Sequence, residues 1–203
     1  MRDGETRLTI DPGPDKPPME VHVEGSAAEP DRAVPHIFEY LRRSGFVDGI
    51  AAVGHRIVHG GTAFTAPARL DRAALDALAT LGPLAPVHQL ASLAGVAATA
   101  AVFPAAVQVG CFDTAFHADQ PRLARLYGLP RQLTEQGIIG YGFHGLSYSY
   151  IASALKRRFG KGAGGRVIVA HMGSGVSLCA MRQGRSVATT MGFSTLDGPP
   201  MAT

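Results

Sequence analysis

Short apolar runs alternate with longer segments of helical spacing along this 203-residue chain, and this alternation most constrains its fold. The runs AAVQVGCF (105–112) and RVIVA (166–170) are typical of strands, whereas segments 31–45, 71–86 and 91–103 indicate helices. In the first helix, Asp31 is the predicted N-cap and Gly45 the predicted end. Strands mixed with helices around two cores predict an α/β fold, with the division near Asp113.

Composition narrows the class of protein. With 46% apolar and 17% charged residues, the chain can bury one good core or two modest ones. No apolar run reaches the roughly 18 residues that a membrane span needs, and the N-terminus MRDGETRLTIDPG lacks the apolar core of a signal peptide. We therefore expect no membrane partner and a cytoplasmic location.

Cysteines and charge add two further expectations. Cys111 and Cys179 lie in strand-like runs without CxxC spacing, which favours reduced, buried thiols. The formal charge is only +3, and the densest basic run (156–166) is typical of a helix C-terminus. Aromatic residues other than Phe159 do not interleave with this run, so no nucleic-acid partner is expected.

The segment GHRIVHGG (54–61) carries the first candidate chemistry. Strand alternation places His55 and His59 on one face and Arg56 on the other. His-x-x-x-His suggests a metal site, but the two rings meet on one ion only in a helix, and the β-branched residues favour a strand. Arg56 is suited to a bidentate clamp for a carboxylate or phosphate, or to a surface ion pair.

Three later segments contain further candidates for ligand binding. His88 follows a proline-punctuated turn, and His144 lies between glycines that permit close backbone approach. The turn containing Gly173, Ser174 and Gly175 follows a strand, and its N–H groups are suited to cradle a phosphate, although ordinary hairpins use the same residues.

Taken in order, GHRIVHGG, LAPVH, FDTAFH, YGFHG and HMGSGVS…GRSV…TMGF resemble the successive signatures of the acetate kinase family. These are small-carboxylate kinases of the sugar kinase, actin and heat-shock chaperone superfamily. The resemblance spans about residues 50–203. It implies two ribonuclease-H-like (actin-like ATPase) domains, here 1–113 and 114–203, with a cleft between them. The implied reaction is reversible phosphoryl transfer between ATP and acetate, giving acetyl phosphate and ADP.

The resemblance also implies roles for single residues. Arg56 is implied as the clamp for substrate and phosphate, Asp113 as the active-site acid and His144 as the transition-state stabiliser. The remaining candidates share the same site: His88 as a further imidazole, Val58, Val87 and Phe143 as walls of the acid pocket, and His171, Met172, Gly173, Ser174 and Gly175 as the ATP phosphate loop.

The implied cofactor is Mg²⁺ or Mn²⁺, with ATP as co-substrate. A carboxylate acceptor is already ionised at neutral pH and needs no general base, because its pKa is near 4.3. We therefore expect Asp113 to hold the metal or its water, while Arg56 and His144 meet the phosphoryl oxygens. The implied partners are acetate or acetyl phosphate and ATP or ADP, and the complete protein is expected to be a homodimer.

The sequence also departs from the family pattern. The opening N-x-G-S-S-S-x-K loop is absent, as are the second arginine, the adenosine pocket and the late metal-holding glutamate. The expectation is therefore a first domain incomplete at its N-terminus and a second truncated at its C-terminus, which leaves the metal site incomplete and the chain alone inactive.

Four substitutions lie within the matched motifs. Ser174 and Gln89 replace the usual asparagines, Tyr148 replaces a histidine, and Thr195 replaces a pocket proline. The last substitution leaves propionate or a related short acid as an alternative substrate. A truncated, non-catalytic fragment with weak anion binding is the other alternative.

Overall fold

The computed structural model describes residues 5–10, 19–24, 30–45, 47 and 49–201. The chain forms two compact units, Met1–Ala51 with Ala97–Ala106, and Ala52–Val96 with Val107–Thr203. The boundary near Asp113 stays a prediction. Mixed helices and strands make up both units, as the sequence predicts.

The first unit contains a hairpin and a helix. Strands β1 (Glu5–Ile10) and β2 (Met19–Glu24) pair antiparallel, with Glu5 opposite Glu24. Helix α1 (Pro30–Arg43) begins one residue before the predicted cap, so the prediction of Asp31 as N-cap is wrong: proline occupies the first helical position, where its fixed φ suits the helix. Gly45 follows the helix at φ 71°, as its predicted ending requires.

The second unit is built partly on a small mixed sheet. In chain order its elements are β3 (Ala52–Ile57), β4 (Ala68–Arg69), α2 (Arg72–Ala79), the first part of α3 (Pro86–Val102) and β5 (Val107–Phe112). Strand β5 lies in the middle, parallel to β3 and antiparallel to β4. Its core consists of Ile57, Leu70, Leu78, Val96 and Phe112.

The rest of the second unit follows β5. Short helices α4 (Arg122–Arg125) and α5 (Arg131–Glu135) precede α6 (Gly145–Phe159). Strands β6 (Arg166–Met172), β7 (Val176–Arg182) and β8 (Arg185–Thr189) form an antiparallel sheet in that order, and β6 contains the predicted strand 166–170. Tyr148 of α6 packs against Cys179 and Met181 of β7.

Among the described helices, none is long and apolar enough to cross a membrane. Cys111 and Cys179 are both free.

Candidate active site

Arg56 and Asp113 form a forked ion pair at the carboxyl ends of β3 and β5. The parallel register sets Arg56 beside Cys111, and the Asp113 backbone N–H donates to the Ile57 carbonyl at 3.0 Å. Arg56 Nη2 lies 2.7 Å from Asp113 Oδ2, and Nε lies 3.1 Å from the same oxygen. The pairing raises the pKa of Arg56, chiefly through its hydrogen bonds to Asp113. Of the two side chains, Asp113 is 2% exposed and Arg56 61%, so the buried carboxylate anchors a guanidinium that still reaches solvent.

Gly145 brings the start of helix α6 against the Asp113 loop. Its backbone N–H donates to the Asp113 carbonyl at 2.9 Å. A Cβ at this position would lie 2.1 Å from that carbonyl oxygen and 2.9 Å from Phe116 Cβ. Only glycine permits this approach, so the helix N-terminus and the carboxylate are held together by a residue without a side chain.

We expect Gly145→Ala to destabilise the chain by about 2–3 kcal/mol, because the Asp113 carbonyl group and the Phe116 side chain must move to admit the methyl group. Gly95→Ala is the matched control, since a Cβ on this glycine of α3 meets nothing within 4 Å. It should be neutral or stabilise by up to about 1 kcal/mol through helix propensity. Urea unfolding measures both, and equal effects would contradict the close-approach argument.

His144 occupies the N-cap of α6 in a left-handed conformation, φ 59°. Such a conformation is uncommon for a residue with a side chain and is concentrated at functional sites. Its ring stacks on that of His171, with centroids 4.0 Å apart and planes at 20°. Its Nε2 lies 3.1 Å from where a Cβ on Gly175 would be, so the ring faces the turn between β6 and β7.

The surroundings lower the pKa of His144 to about 4. Desolvation is the largest cause, followed by repulsion from His171; attraction to Asp113 opposes both, and Arg56 and His117 add smaller repulsions. The ring is therefore neutral at pH 7, with one nitrogen available as a donor.

The predicted phosphate loop is a tight turn that joins β6 to β7. The Gly173 N–H donates to the Gly175 carbonyl at 3.0 Å, which closes the turn on itself. His171, at its start, hydrogen bonds through Nδ1 to Ser147 Oγ at 3.0 Å. Met172 is exposed. Through His171 and Gly175, this turn adjoins His144.

Val58 and Phe143 are buried together, with Ala85, Tyr141 and Met191, beside the ends of the strands. Val87 and His88, the two predicted site residues in α3, do not belong to this buried cluster. Val87 is 77% exposed and His88 is also exposed, in the first turn of the helix. Their assigned roles stay predictions.

Gln89, which the sequence marks only as a substitution for asparagine, hydrogen bonds α3 to the end of β3. Its amide accepts from the His59 N–H at 3.2 Å and donates to the His59 carbonyl at 3.1 Å, and also reaches the Leu78 carbonyl. His59 itself is fully buried and packs edge-on against Tyr141, while its Nδ1 accepts from the Gly61 N–H. Gln89 is a buried polar residue next to the exposed His88, and the spacing of apolar residues in the sequence does not distinguish the two.

His117 ends the motif FDTAFH, and the sequence predicts no role for it. In the structure it supports the backbone next to His144. Its Nε2 donates to the Phe143 carbonyl at 2.9 Å, and its Nδ1 accepts from Ser186 Oγ at 2.8 Å. Gln120 donates to the same hydroxyl at 2.7 Å. Desolvation lowers the pKa of His117, against the opposing effect of the Phe143 bond. This network fixes the backbone immediately before His144.

Acid should destabilise the second unit through its buried histidines. Burial lowers the pKa of His59 to about 4, below the unfolded value of 6.5, so the unfolded chain binds protons first. The stabilisation from neutral His59 is complete above pH 6.5 and is lost as the pH falls toward 4, by about 2 kcal/mol at pH 4.5. Urea unfolding at several pH values measures this slope. His59→Gln should reduce the slope, and a slope identical to that of the unaltered chain would exclude His59 as its source.

Asp113 fits a divalent metal as one ligand, directly or through water, because Mg²⁺ in phosphoryl-transfer sites is held by one or two carboxylates and the substrate phosphates. In the part of the chain that the structure describes, no group of three or more histidine, cysteine or acidic residues is placed to hold a metal ion. Both Asp113 oxygens accept hydrogen bonds from Arg56, so a metal-binding role for Asp113 stays a prediction.

The chain is similar to known proteins in both sequence and structure. The model of the Acetokinase family matches residues 18–203. The acetate kinase of Rhodopseudomonas palustris (strain TIE-1) is 49% identical over 150 residues, which are 73% of this chain and 38% of that protein. That of Methylocella silvestris is 43% identical over 163 residues, 80% of this chain and 40% of that protein. The chain thus spans about two-fifths of the curated relatives it matches.

Solved structures agree on the fold. A propionate kinase from Francisella tularensis superposes with a TM-score of 0.82 at 33% identity, covering 91% of this chain and 47% of that one. The acetate kinase of Porphyromonas gingivalis gives 0.80 at 30% identity, covering 99% and 51%. The predicted α/β, actin-like ATPase fold is confirmed. With the family model matching nearly the whole length, the chain belongs to the acetokinase family.

Proposed function

We propose that this chain is part of an acetate kinase, which transfers a phosphoryl group reversibly between ATP and acetate. The juxtaposition of the Arg56–Asp113 pair with His144 and the 171–175 turn carries the proposal. It offers a cation, a neutral donor and a backbone turn as neighbours, which suits a phosphoryl group between two oxygens.

In the forward direction a carboxylate oxygen of acetate attacks the γ-phosphorus of ATP. The new C–O–P linkage forms as the bond from the γ-phosphorus to the bridging oxygen breaks, and ADP leaves with that electron pair. Arg56 orients the acetate and meets phosphoryl oxygens, and a neutral His144 donates a hydrogen bond to them. A bound Mg²⁺ or Mn²⁺, with Asp113 among its supports, would neutralise charge on the phosphates.

Val58 and Phe143, buried together, support a small apolar pocket for the methyl group of acetate. Relatives named acetate kinase favour this acceptor. Thr195, in place of the family's proline, and the structural similarity to a propionate kinase make propionate the second candidate.

A hydroxamate assay with ATP and Mg²⁺ tests the proposal in a full-length kinase that carries this chain. We expect acyl phosphate from acetate, less from propionate, and none from butyrate. More product from propionate than from acetate would reassign the acceptor. No product from any short acid would exclude the function.

Val58→Ala should enlarge the pocket and shift the ratio of kcat/KM values toward propionate by about 10-fold, since one methylene in an apolar pocket is worth roughly 1–3 kcal/mol. Val53→Ala, on β3 before the strand end, is the control. An unchanged acetate-to-propionate ratio would show that Val58 does not line the acid pocket.

A cytoplasmic location, a homodimeric complete protein and the absence of nucleic-acid partners belong to the same proposal. The proposed substrates, acetate and ATP, are small and water-soluble, which suits a cytoplasmic enzyme.

A further inference from the structure

Two buried hydroxyl groups form a hydrogen-bonded row with the His144 ring. Tyr148 and Ser177 are each 0% exposed. Ser177 Oγ lies 2.8 Å from His144 Nδ1 and 2.5 Å from the Tyr148 hydroxyl oxygen. The row therefore runs from Tyr148 of α6 through Ser177 of β7 to the His144 ring.

The buried phenol at one end gives this row a direction. The Tyr148 hydroxyl proton needs an acceptor, and within the described residues Ser177 Oγ is the one recorded for it. Ser177 then directs its proton at His144 Nδ1. The opposite direction would leave the buried Tyr148 proton unsatisfied, at a cost of about 1–3 kcal/mol.

Resting on the proposed function, we propose that Tyr148 and Ser177 are positioning residues that keep neutral His144 protonated on Nε2. The Nε2–H then faces the turn at Gly175, where the transferred phosphoryl group is expected. The other tautomer would present a lone pair to anionic oxygens. Tyr148, where the family pattern has histidine, thus acquires a function through Ser177.

The groups that surround the His144 ring do not impose this tautomer. His171 stacks on its face, and Asp113, Arg56 and His117 act on it through their charge. Of these, Asp113 is paired with Arg56, and His117 is hydrogen bonded to Phe143 and Ser186. The direct partner of Nδ1 in the described structure is Ser177.

Long-range ¹⁵N–¹H NMR of the histidine rings in the purified 203-residue chain tests the tautomer without any need for catalysis. At pH 7 we expect the His144 proton on Nε2 alone, with the ring titrating near pH 4. A proton on Nδ1 in the unaltered chain would overturn the proposal, and this measurement needs no variant to fold.

Three variants isolate the row. Ser177→Ala removes the donor to Nδ1, so the two neutral tautomers of His144 should mix. Tyr148→Phe frees the Ser177 hydroxyl to rotate and should give a smaller change in the same direction. Tyr150→Phe, on the exposed side of α6, should change nothing. An unchanged His144 tautomer in Ser177→Ala would also overturn the proposal.

The catalytic consequence is measured separately in a full-length kinase that carries the chain. Ser177→Ala should lower kcat by roughly 10- to 100-fold with little change in KM, as for other residues that orient a reacting group. Full kcat despite mixed tautomers would overturn the link to catalysis. The expected tautomer in a protein without kinase activity would contradict the proposed function and leave the hydrogen-bonded row intact.

Discussion

Replacing Asp113 with asparagine in a full-length kinase that carries this chain is expected to lower kcat by about 10³-fold or more, as loss of a preorganised charged group at the transferred phosphoryl does. The amide keeps the shape of the side chain but loses its charge. It can neither support a divalent cation nor hold Arg56 by two charge-assisted bonds. The hydroxamate assay measures the effect.

Unfolding of the 203-residue chain separates this loss from a folding defect. Arg56 reaches solvent, so Asp113→Asn should cost only about 1–2 kcal/mol of stability. Asp76→Asn, in an exposed pair with Arg72, is the control and should leave both kcat and stability nearly unchanged. Retention of more than a tenth of the activity in Asp113→Asn would contradict the assigned role.

Arg56→Lys should lower kcat/KM for acetate by about 100-fold, because a single ammonium cannot reproduce the planar fork. Arg56 donates hydrogen bonds to Asp113 through Nε and Nη2, and the rest of its guanidinium is exposed to solvent. Lysine can satisfy the carboxylate or the substrate, but not both at once. We therefore expect kcat to fall and KM to rise.

Arg72→Lys, at an exposed position of α2, is the matched control for the charge-conserving change. Wild-type kinetics in Arg56→Lys would show that a point charge suffices and would exclude a two-pronged clamp. A change confined to KM would assign Arg56 to binding alone.

Local patterns in the sequence predict most of the elements. The apolar run before Asp113 forms β5, and the turn-rich segment after 165 forms the three-stranded sheet. Asp71, which precedes α2, accepts from the Ala74 N–H as a helix cap should. The start of α1 was placed wrongly because Asp31 and Pro30 are both good residues for a helix start, and spacing cannot rank them.

For the candidate site, the sequence marks the central residues but not the residues that support them. Glycines and charged residues at strand ends mark Arg56, Asp113 and His144 in the sequence. Their supports join residues far apart in the chain: Gln89 to His59 over 30 positions, Ser177 to His144 over 33, and His117 to Ser186 over 69. Such pairs depend on how the elements pack, and no local period records them. The two readings of Arg56, clamp and ion pair, likewise needed the structure, which shows the ion pair with Asp113.

We propose that Arg56, His144 and the 171–175 turn form one anion site in the second unit. NMR titration of the purified chain with inorganic phosphate and then acetyl phosphate tests it directly. We predict that the Arg56 Nε–H, the His144 ring and the Gly173 and Gly175 amides shift together on one weak binding curve that salt weakens further. Shifts confined to the basic end of α6, Lys156 to Arg158, or separate curves for Arg56 and His144, would contradict it.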